Sequence, residues 1–300
     1  MSKNTLKKIL PLILSFSFMQ YVNGQNTMLY THEKAFKEQI ENSALQLLAS
    51  KSFKPIQEIA GEAKLLKNNM PVAEKINLPK STDHKKLAGE ELFNKCKQGV
   101  LVVGMCYSCG NCNKTHMAPI ATAFAITSDG VCVTNYHVLE ELIEKSGESL
   151  AKDSLYFVST IAGKIYALDK ILAYSKEGDA AIFRVAISND KLDPVPLGTA
   201  AQEGNFVCAI THPDGKFYYY SQGAVARNIS GETAQDDRMQ ITADYAVGSS
   251  GGPIINQSGQ LVGLVSSTES IYADKQLKRS LQMVVKETIP VSTIKKLLDK

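Results

Sequence analysis

The chain has 300 residues, of which 44% are hydrophobic, and this composition is sufficient for a packed core, which excludes disorder as the default state. Its 33 basic residues nearly balance its 30 acidic residues. Nucleic acid or an anionic membrane as the main partner would require a clustered basic excess, so we expect neither.

The first predicted element is a secretory signal peptide over residues 1–24. Lysines precede an apolar run, Ile9–Met19, and Val22 and Gly24 suit a cleavage site. The run is shorter than the ~20 apolar residues that span a bilayer, and Pro11 interrupts it. We therefore expect cleavage, no stable membrane span in the mature chain, and export to the periplasm or the cell exterior. Cleavage removes three lysines and no acid, leaving 30 basic and 30 acidic residues.

Residues 25–91 are predicted to form a helical N-terminal segment with a linker. Apolar residues recur at helical spacing over 31–50 and from Pro55 to Leu66. The stretch Asn68–Lys86 is polar and contains two prolines, which predicts a linker. A short amphipathic helix is predicted over Leu87–Lys97. We expect these helices to lie outside the main domain.

The main domain, residues 92–300, is predicted to be built from β-strands. From Gly99 onward, short β-branched runs alternate with Gly, Asp and Ser. The predicted strands cover residues 100–103, 121–127, 131–134, 155–160, 165–173, 180–185, 206–210, 218–226, 239–243, 254–255, 261–266 and 281–285. This pattern indicates a sandwich or barrel rather than a parallel α/β sheet. A closing helix is predicted from Pro290 to Leu298.

Three segments carry reactive side chains, in the order His, Asp, Ser. His137 lies in T-N-Y-H-V where a strand runs into a helix, and Asp179 opens the strand of G-D-A-A. Ser250 lies in the glycine-rich turn G-S-S-G-G-P. A single His of this kind is usually structural, and a single Asp is an ordinary turn residue. The ordered set of three is specific.

In these segments the chain resembles the chymotrypsin-like serine peptidases, and within them the HtrA-like bacterial group, over about residues 99–298. The resemblance implies an all-β fold of two six-stranded antiparallel β-barrels, to which the predicted N-terminal helical appendage and C-terminal helix are added. It also implies His137 as general base, Asp179 as its orienting carboxylate and Ser250 as nucleophile. One departure is Ser249, where the group commonly has Asn, and the second is that no PDZ module is expected. The second argues against a cage-like quality-control function.

The chemistry requires these groups, because a serine hydroxyl is a poor nucleophile without an oriented base. Acylation also creates an oxyanion, and the backbone N–H groups of Gly248 and Ser250 are the expected donors to it. The strand around Val265, Ser266 and Ser267 is expected to hold an extended polypeptide substrate by strand addition.

Asp244 lies six residues before Ser250. At this position, the trypsin-like members of the family that this chain resembles have a carboxylate at the floor of the specificity pocket. A buried anion there would select Lys or Arg before the scissile bond, because an unpaired buried charge is unfavourable. The alternative is that Asp244 caps the turn before Tyr245 and the pocket is apolar. The sequence leaves both open.

A cysteine tract lies between the first two predicted strands: Cys106, Cys109 and Cys112, followed by His116. Export favours a disulfide-tied hairpin. The alternative is a structural Zn²⁺ site with three thiolates and one imidazole. A thioredoxin-like motif is disfavoured because no βαβ pattern surrounds the tract. No other cofactor is expected.

The sequence therefore predicts a serine endopeptidase that acts on exported or extracellular polypeptides, with no nucleic-acid partner. Two alternatives remain. A catalytically silent relative would bind extended polypeptide without cleaving it, although all three reactive positions are filled. In the other alternative the cysteine tract is a metal or redox module and the barrels are its scaffold, which the metal content of the protein would test.

Overall fold

The computed structural model describes residues 32–80, 85–109, 112, 114–144 and 154–299. The predicted signal peptide lies outside the described residues. Within these ranges, no helix combines the length and apolar character that crossing a membrane requires.

Six antiparallel strands close the first barrel in the order β1-β2-β3-β6-β5-β4. Their bounds are β1 Val100–Ser108, β2 Thr115–Ala125, β3 Val131–Thr134, β4 Leu155–Ser159, β5 Ile165–Ser175 and β6 Ala180–Val185. Phe124, Phe157 and Phe183 are fully buried here. The β-branched runs predicted these strands because such side chains pack well on a pleated surface.

The second barrel also has six antiparallel strands, in the order β10-β11-β12-β9-β8-β7. Their bounds are β7 Phe206–Thr211, β8 Tyr219–Ile229, β9 Arg238–Ile241, β10 Pro253–Ile255, β11 Leu261–Asp274 and β12 Arg279–Pro290. Two closed six-stranded antiparallel barrels confirm the predicted fold class.

The described residues contain five α-helices. Their bounds are α1 Glu33–Ser50, α2 Ile56–Ala63, α3 Gly89–Cys96, α4 Tyr136–Ile143 and α5 Val291–Leu298. The C-terminal helix is α5, which directly follows β12, with Pro290 just before its first turn as predicted. Helix α4 directly follows the residue after β3, so its first turn is fixed by the first barrel.

The N-terminal helices pack on the outside of the barrels but share their core. Ile40 and Ala44 of α1 are fully buried, and Phe36 meets Phe217 edge-to-face with ring centroids 5.0 Å apart. Burying one isoleucine side chain contributes about 1.5–3 kcal/mol. The appendage is therefore anchored by apolar contacts to residues far along the chain.

The predicted linker, Asn68–Lys86, has no helix or strand where it is described, yet its first part is fixed to β5 and α5. The Asn69 N–H donates to the Tyr174 carbonyl at 3.0 Å, and the Val72 N–H donates to the Leu297 carbonyl at 2.8 Å. Val72 is itself buried. The polar composition predicted the absence of regular structure but not this attachment.

Two hairpins are longer than predicted. Strands β11 and β12 remain paired as far as Asp274 and Arg279, and most residues of this ribbon beyond Ser266 are exposed. Strands β1 and β2 remain paired as far as Ser108 and Thr115. The exposed β11–β12 extension buries no continuous apolar run, so the sequence pattern did not mark it.

Candidate active site

His137 and Asp179 are brought into direct contact in the first barrel. His137 lies in the first turn of α4, and its Nδ1–H donates to Asp179 Oδ1 at 3.0 Å, with Oδ2 at 3.1 Å. The His137 backbone N–H also donates to Oδ1, at 3.1 Å. The hydrogen bond to Asp179 raises the pKa of His137, burial opposes this rise, and the negative charges of Asp179 and Glu140 add to it.

Besides its contact with His137, Asp179 is fixed by its backbone conformation and by two further hydrogen bonds. Its backbone adopts a left-handed conformation, φ 43°, at the turn into β6, which Asp tolerates better than most residues. Asn135 Nδ2 donates to the Asp179 carbonyl at 2.8 Å, and Ser266 Oγ donates to Oδ2 at 2.8 Å. From the sequence, Asn135 had no expected part in this network, and Ser266 was expected to bind substrate.

The Ser250 loop joins β9 to β10 and packs against β2 and β3. The Thr122 N–H donates to the Ser250 carbonyl at 2.9 Å. Gly251 has φ 80°, and a Cβ there would overlap Thr134 Oγ1 and the Thr122 carbonyl, so only glycine fits. Thr134 precedes His137 by three residues, so Ser250 and His137 lie on adjoining segments. Among the described residues, no hydrogen bond joins the Ser250 hydroxyl to His137.

The backbone N–H groups of Gly248 and Ser250 donate to no other described residue. Gly248 has φ 92°, and its carbonyl accepts a hydrogen bond from Thr122 Oγ1 at 3.0 Å. The preceding carbonyl, of Val247, accepts from the Asp214 N–H at 2.7 Å. Both carbonyls around the Gly248 peptide are thus held, while two N–H groups of the loop remain available.

Thr122 and His212 support this loop, and the sequence analysis named neither. The His212 backbone N–H donates to Thr122 Oγ1 at 3.2 Å, and His212 Nδ1 accepts from the Tyr218 N–H at 3.0 Å. Burial lowers the pKa of His212 to about 3, against a smaller opposing effect of the Leu101 backbone, so its ring is neutral. Neither residue lies in a recognisable motif, and no sequence signal could have found them.

The three residues expected to hold substrate are already engaged in part. The Val265 N–H donates to the Gly252 carbonyl at 2.8 Å, and the Val265 carbonyl accepts from Gly251. The Ser267 carbonyl accepts from the Tyr245 hydroxyl at 2.9 Å. Ser266 lies at an irregularity of the ladder and has no register partner on β12. Of the three, Val265 therefore fixes the serine loop, and Ser266 offers the least constrained backbone.

Asp244 does not have the burial that a specificity-pocket anion requires. Its side chain is 77% exposed, and Lys286 Nζ lies 3.3 Å from its Oδ1. Lys286 is only 12% exposed and also donates to the Tyr245 carbonyl at 2.6 Å. Of the two alternatives for Asp244, this exposed carboxylate paired with the nearly buried Lys286 ammonium fits the turn residue better than the buried pocket anion.

A cavity of about 310 Å³ adjoins the Ser250 loop. Its lining includes Gly248 and Val247 from the loop, Ala121 from β2 and Lys37 from α1. Like the larger cavities of about 540 and 570 Å³, it is lined by no residue of the candidate triad, but it borders Gly248. Through Lys37, the N-terminal segment reaches the edge of the candidate site.

The cysteine tract divides into two parts. Cys106 is fully buried in the core, so the structure brings together only the other three of the four residues that the sequence suggested for a disulfide or a metal site. Cys109, Cys112 and His116 do come together: the two Sγ atoms are 3.4 Å apart, and Cys112 Sγ is 3.1 Å from His116 Nε2. No disulfide joins two cysteines in the described part of the chain.

Comparison with known proteins agrees with this architecture. Residues 121–264 match the family model described as a trypsin-like peptidase domain. Protease Do-like 1, chloroplastic, from Arabidopsis thaliana is 28% identical over 186 residues, which are 59% of this chain and 38% of that protein. A Chlamydia trachomatis protein named "Probable periplasmic serine endoprotease DegP-like" is 29% identical over 148 residues, 48% of this chain and 27% of that protein.

Among solved structures, the HtrA-type protease AlgW with a decapeptide has a TM-score of 0.53 at 16% identity. The match covers 69% of this chain and 65% of that chain. Residues 121–264 thus match a trypsin-like peptidase domain, and the chain is similar to proteins of the Deg and HtrA type. The chain spans less than two fifths of the length of the two named sequence relatives.

Proposed function

We propose that this chain is a serine endopeptidase in which His137, Asp179 and Ser250 act as general base, orienting carboxylate and nucleophile. The observation that carries the proposal is the paired contact of His137 Nδ1 with Asp179 at 3.0 and 3.1 Å, beside a serine loop held on β2. This contact fixes the imidazole tautomer, leaving the unprotonated Nε2 to accept a proton from the serine.

Acylation would proceed from these groups alone. The Ser250 hydroxyl adds to the scissile carbonyl carbon as its proton passes to His137 Nε2. The tetrahedral intermediate then collapses, the C–N bond breaks, and the imidazolium returns the proton to the leaving amine. Water, deprotonated by the same imidazole, hydrolyses the acyl-enzyme. Asp179 stays ionised throughout and stabilises the imidazolium.

The negative charge on the intermediate would be stabilised by the N–H groups of Gly248 and Ser250. Neither donates to another described residue, so each is available to the oxyanion. One such donor is typically worth about 10²–10³ in rate. The Ser266 backbone, free of a partner on β12, is the part of the strand best suited to pair with an extended substrate.

The proposed substrate is exported or extracellular polypeptide. Two observations support this: the predicted signal peptide, and the word "periplasmic" in the name of the Chlamydia relative. Export would bring the chain into contact with extended or unfolded polypeptides, which strand addition binds with little sequence preference.

A fluorophosphonate probe tests the proposal on the full chain, because it reacts only with an activated serine. We expect stoichiometric labelling that peptide mapping assigns to Ser250. In Ser250→Ala the labelling and any peptide hydrolysis should fall by at least about 10⁴-fold while the fold is retained. Circular dichroism and thermal unfolding monitor the fold.

Ser249→Ala is the matched control, because Ser249 is the neighbouring residue and its buried hydroxyl donates to Thr211 Oγ1 at 3.0 Å. It should label like the parent chain. Label on a residue other than Ser250 would refute the assigned nucleophile. A folded parent chain that takes no label but binds unfolded polypeptide would instead establish the catalytically silent alternative.

A further inference from the structure

The end of the β1–β2 hairpin carries a cluster of metal-binding side chains outside the candidate active site. Cys109, Cys112 and His116 place one sulfur or nitrogen atom each within 4.8 Å of one another. The last pair of the β1–β2 ladder is Ser108 with Thr115, directly beside His116, so the cluster lies at the closed end of the hairpin. It uses two of the three cysteines of the tract, and Cys106 lies in the core.

The spacing of these atoms suits a shared ion better than a covalent bond. A disulfide requires about 2.05 Å between sulfurs, whereas the two Sγ atoms are 3.4 Å apart. Around tetrahedral Zn²⁺, with Zn–S near 2.3 Å and Zn–N near 2.0–2.1 Å, two sulfurs are about 3.8 Å apart and a sulfur and a nitrogen about 3.5 Å. The observed 3.4 and 3.1 Å are therefore near the edges of that tetrahedron.

The imidazole is held in place by the strand that carries it. His116 is the register partner of Tyr107, and their rings are tilted by 34° with centroids 5.7 Å apart. Its Nε2 is the atom nearest Cys112 Sγ. A ring fixed in this way binds an ion with less loss of conformational freedom than a mobile surface side chain.

We propose that Cys109, Cys112 and His116 bind one Zn²⁺ ion through two thiolates and one neutral imidazole. Binding releases two thiol protons, and the charge of the two thiolates balances that of the ion. The described residues supply no fourth ligand, so a water molecule or a partner's side chain completes the tetrahedron. The ion ties the end of the hairpin, as a disulfide would, in a form that a chelator reverses.

The test uses the full chain purified with a reductant and dialysed against Zn²⁺ or the spectroscopic probe Co²⁺. We expect one ion per chain, with the thiolate charge-transfer band and intense visible bands of tetrahedral Co²⁺. Cys109→Ser, Cys112→Ser and His116→Ala should each weaken binding on the order of 10²-fold. These readouts do not involve catalysis, so they remain valid even if the proposed peptidase function fails.

Cys106→Ala is the matched control, because it removes a thiol of the same tract without touching the cluster, and it should bind the ion normally. If that buried substitution prevents folding, His32→Ala provides the control for an exposed histidine elsewhere. Equal binding by the cluster variants and the parent chain would refute the site. The site would also be refuted if the reduced parent chain bound neither Zn²⁺ nor Co²⁺. The same holds if a Cys109–Cys112 disulfide forms and the chain binds no metal even with reductant and excess Zn²⁺.

Discussion

The His–Asp half and the serine half of the candidate site are held by different kinds of interaction. His137 and Asp179 are fixed mainly through side chains, with Asn135 and Ser266 donating to Asp179. The Ser250 loop is fixed mainly through its backbone, by donation from Thr122 to the Ser250 carbonyl and by the pairing of Gly251 and Gly252 with β11. Side-chain hydrogen bonds therefore set the protonation and orientation of His137, and backbone hydrogen bonds set the position of Ser250.

This difference predicts different responses to substitution. Changes in the His–Asp half should alter the pH dependence, because the hydrogen bond from His137 to Asp179 is the main cause of the raised His137 pKa. Changes in the serine half should alter the rate without moving that pKa, because the loop presents N–H groups whose protonation does not change.

The largest expected effect in this comparison is that of Asp179→Asn. An amide removes the charge and favours the wrong imidazole tautomer, so the maximal rate of fluorophosphonate labelling should fall about 10³–10⁴-fold. The base must be neutral to act, so activity rises with pH through the His137 pKa. Because Asp179 raises that pKa, the Asp179→Asn substitution should lower it. The acid limb, which is the low-pH side of the rate profile where activity rises with pH, should then shift to lower pH. The pH profile of the labelling rate measures both effects.

Asp190→Asn is a suitable control, since this carboxylate lies at the surface near Lys164 and Tyr166 and away from His137. Its profile should match that of the parent chain. An Asp179→Asn protein with an unchanged acid limb would contradict the assignment of His137 as the base that Asp179 orients.

A smaller effect is expected for Thr122→Val, which keeps the shape of a fully buried side chain but removes its hydroxyl. The Gly248 carbonyl and the His212 N–H would both lose a partner. We expect an unfolding free energy lower by about 1–3 kcal/mol and labelling slower by about 10–100-fold. The acid limb should not move. Denaturant unfolding and the pH profile measure these outcomes.

Thr127→Val makes the same chemical change at a buried threonine whose hydroxyl accepts from the Val131 N–H at 3.0 Å, away from the serine loop. This variant should have a lower free energy of unfolding. Its labelling rate should fall only in proportion to the fraction of protein that is unfolded. If the two variants slow labelling equally, Thr122 has a structural role only and does not position the loop.

The sequence predicted the number and order of strands, a strand-to-helix junction at His137, a strand start at Asp179 and a turn at Ser250, because these depend on local periodicity and short motifs. It did not predict the contacts of Thr122 with Gly248 or of Ser266 with Asp179, which join residues 126 and 87 positions apart. It also treated Cys106 as part of one tract, although strand alternation in β1 places it in the core. The contacts of Thr122 with Gly248 and of Ser266 with Asp179 join the first barrel to the second, and no local pattern encodes how the two barrels pack together.

The smallest effect is expected for Asp244→Ala, the substitution that tests specificity. A carboxylate selects a basic residue only if it is buried and unpaired until the substrate binds. Asp244 is 77% exposed and already faces Lys286, whose nearly buried ammonium would repel an incoming Lys or Arg. We therefore expect the chain to cleave after small or apolar residues, and Asp244→Ala to change neither that preference nor the rate by more than about 3-fold.

Digestion of a peptide library by the parent chain, Asp244→Ala and Lys286→Met measures the preference. Removing Lys286 leaves the Asp244 carboxylate without its partner and removes the repulsion, so Lys286→Met should show increased cleavage after basic residues relative to the parent chain. Dominant cleavage after Lys or Arg by the parent chain, lost in Asp244→Ala, would instead restore Asp244 to the specificity pocket. In that outcome, substrate binding must move Lys286 away from Asp244. The reason is that the Asp244 carboxylate cannot form a close ion pair with Lys286 and with the basic side chain of the substrate at the same time.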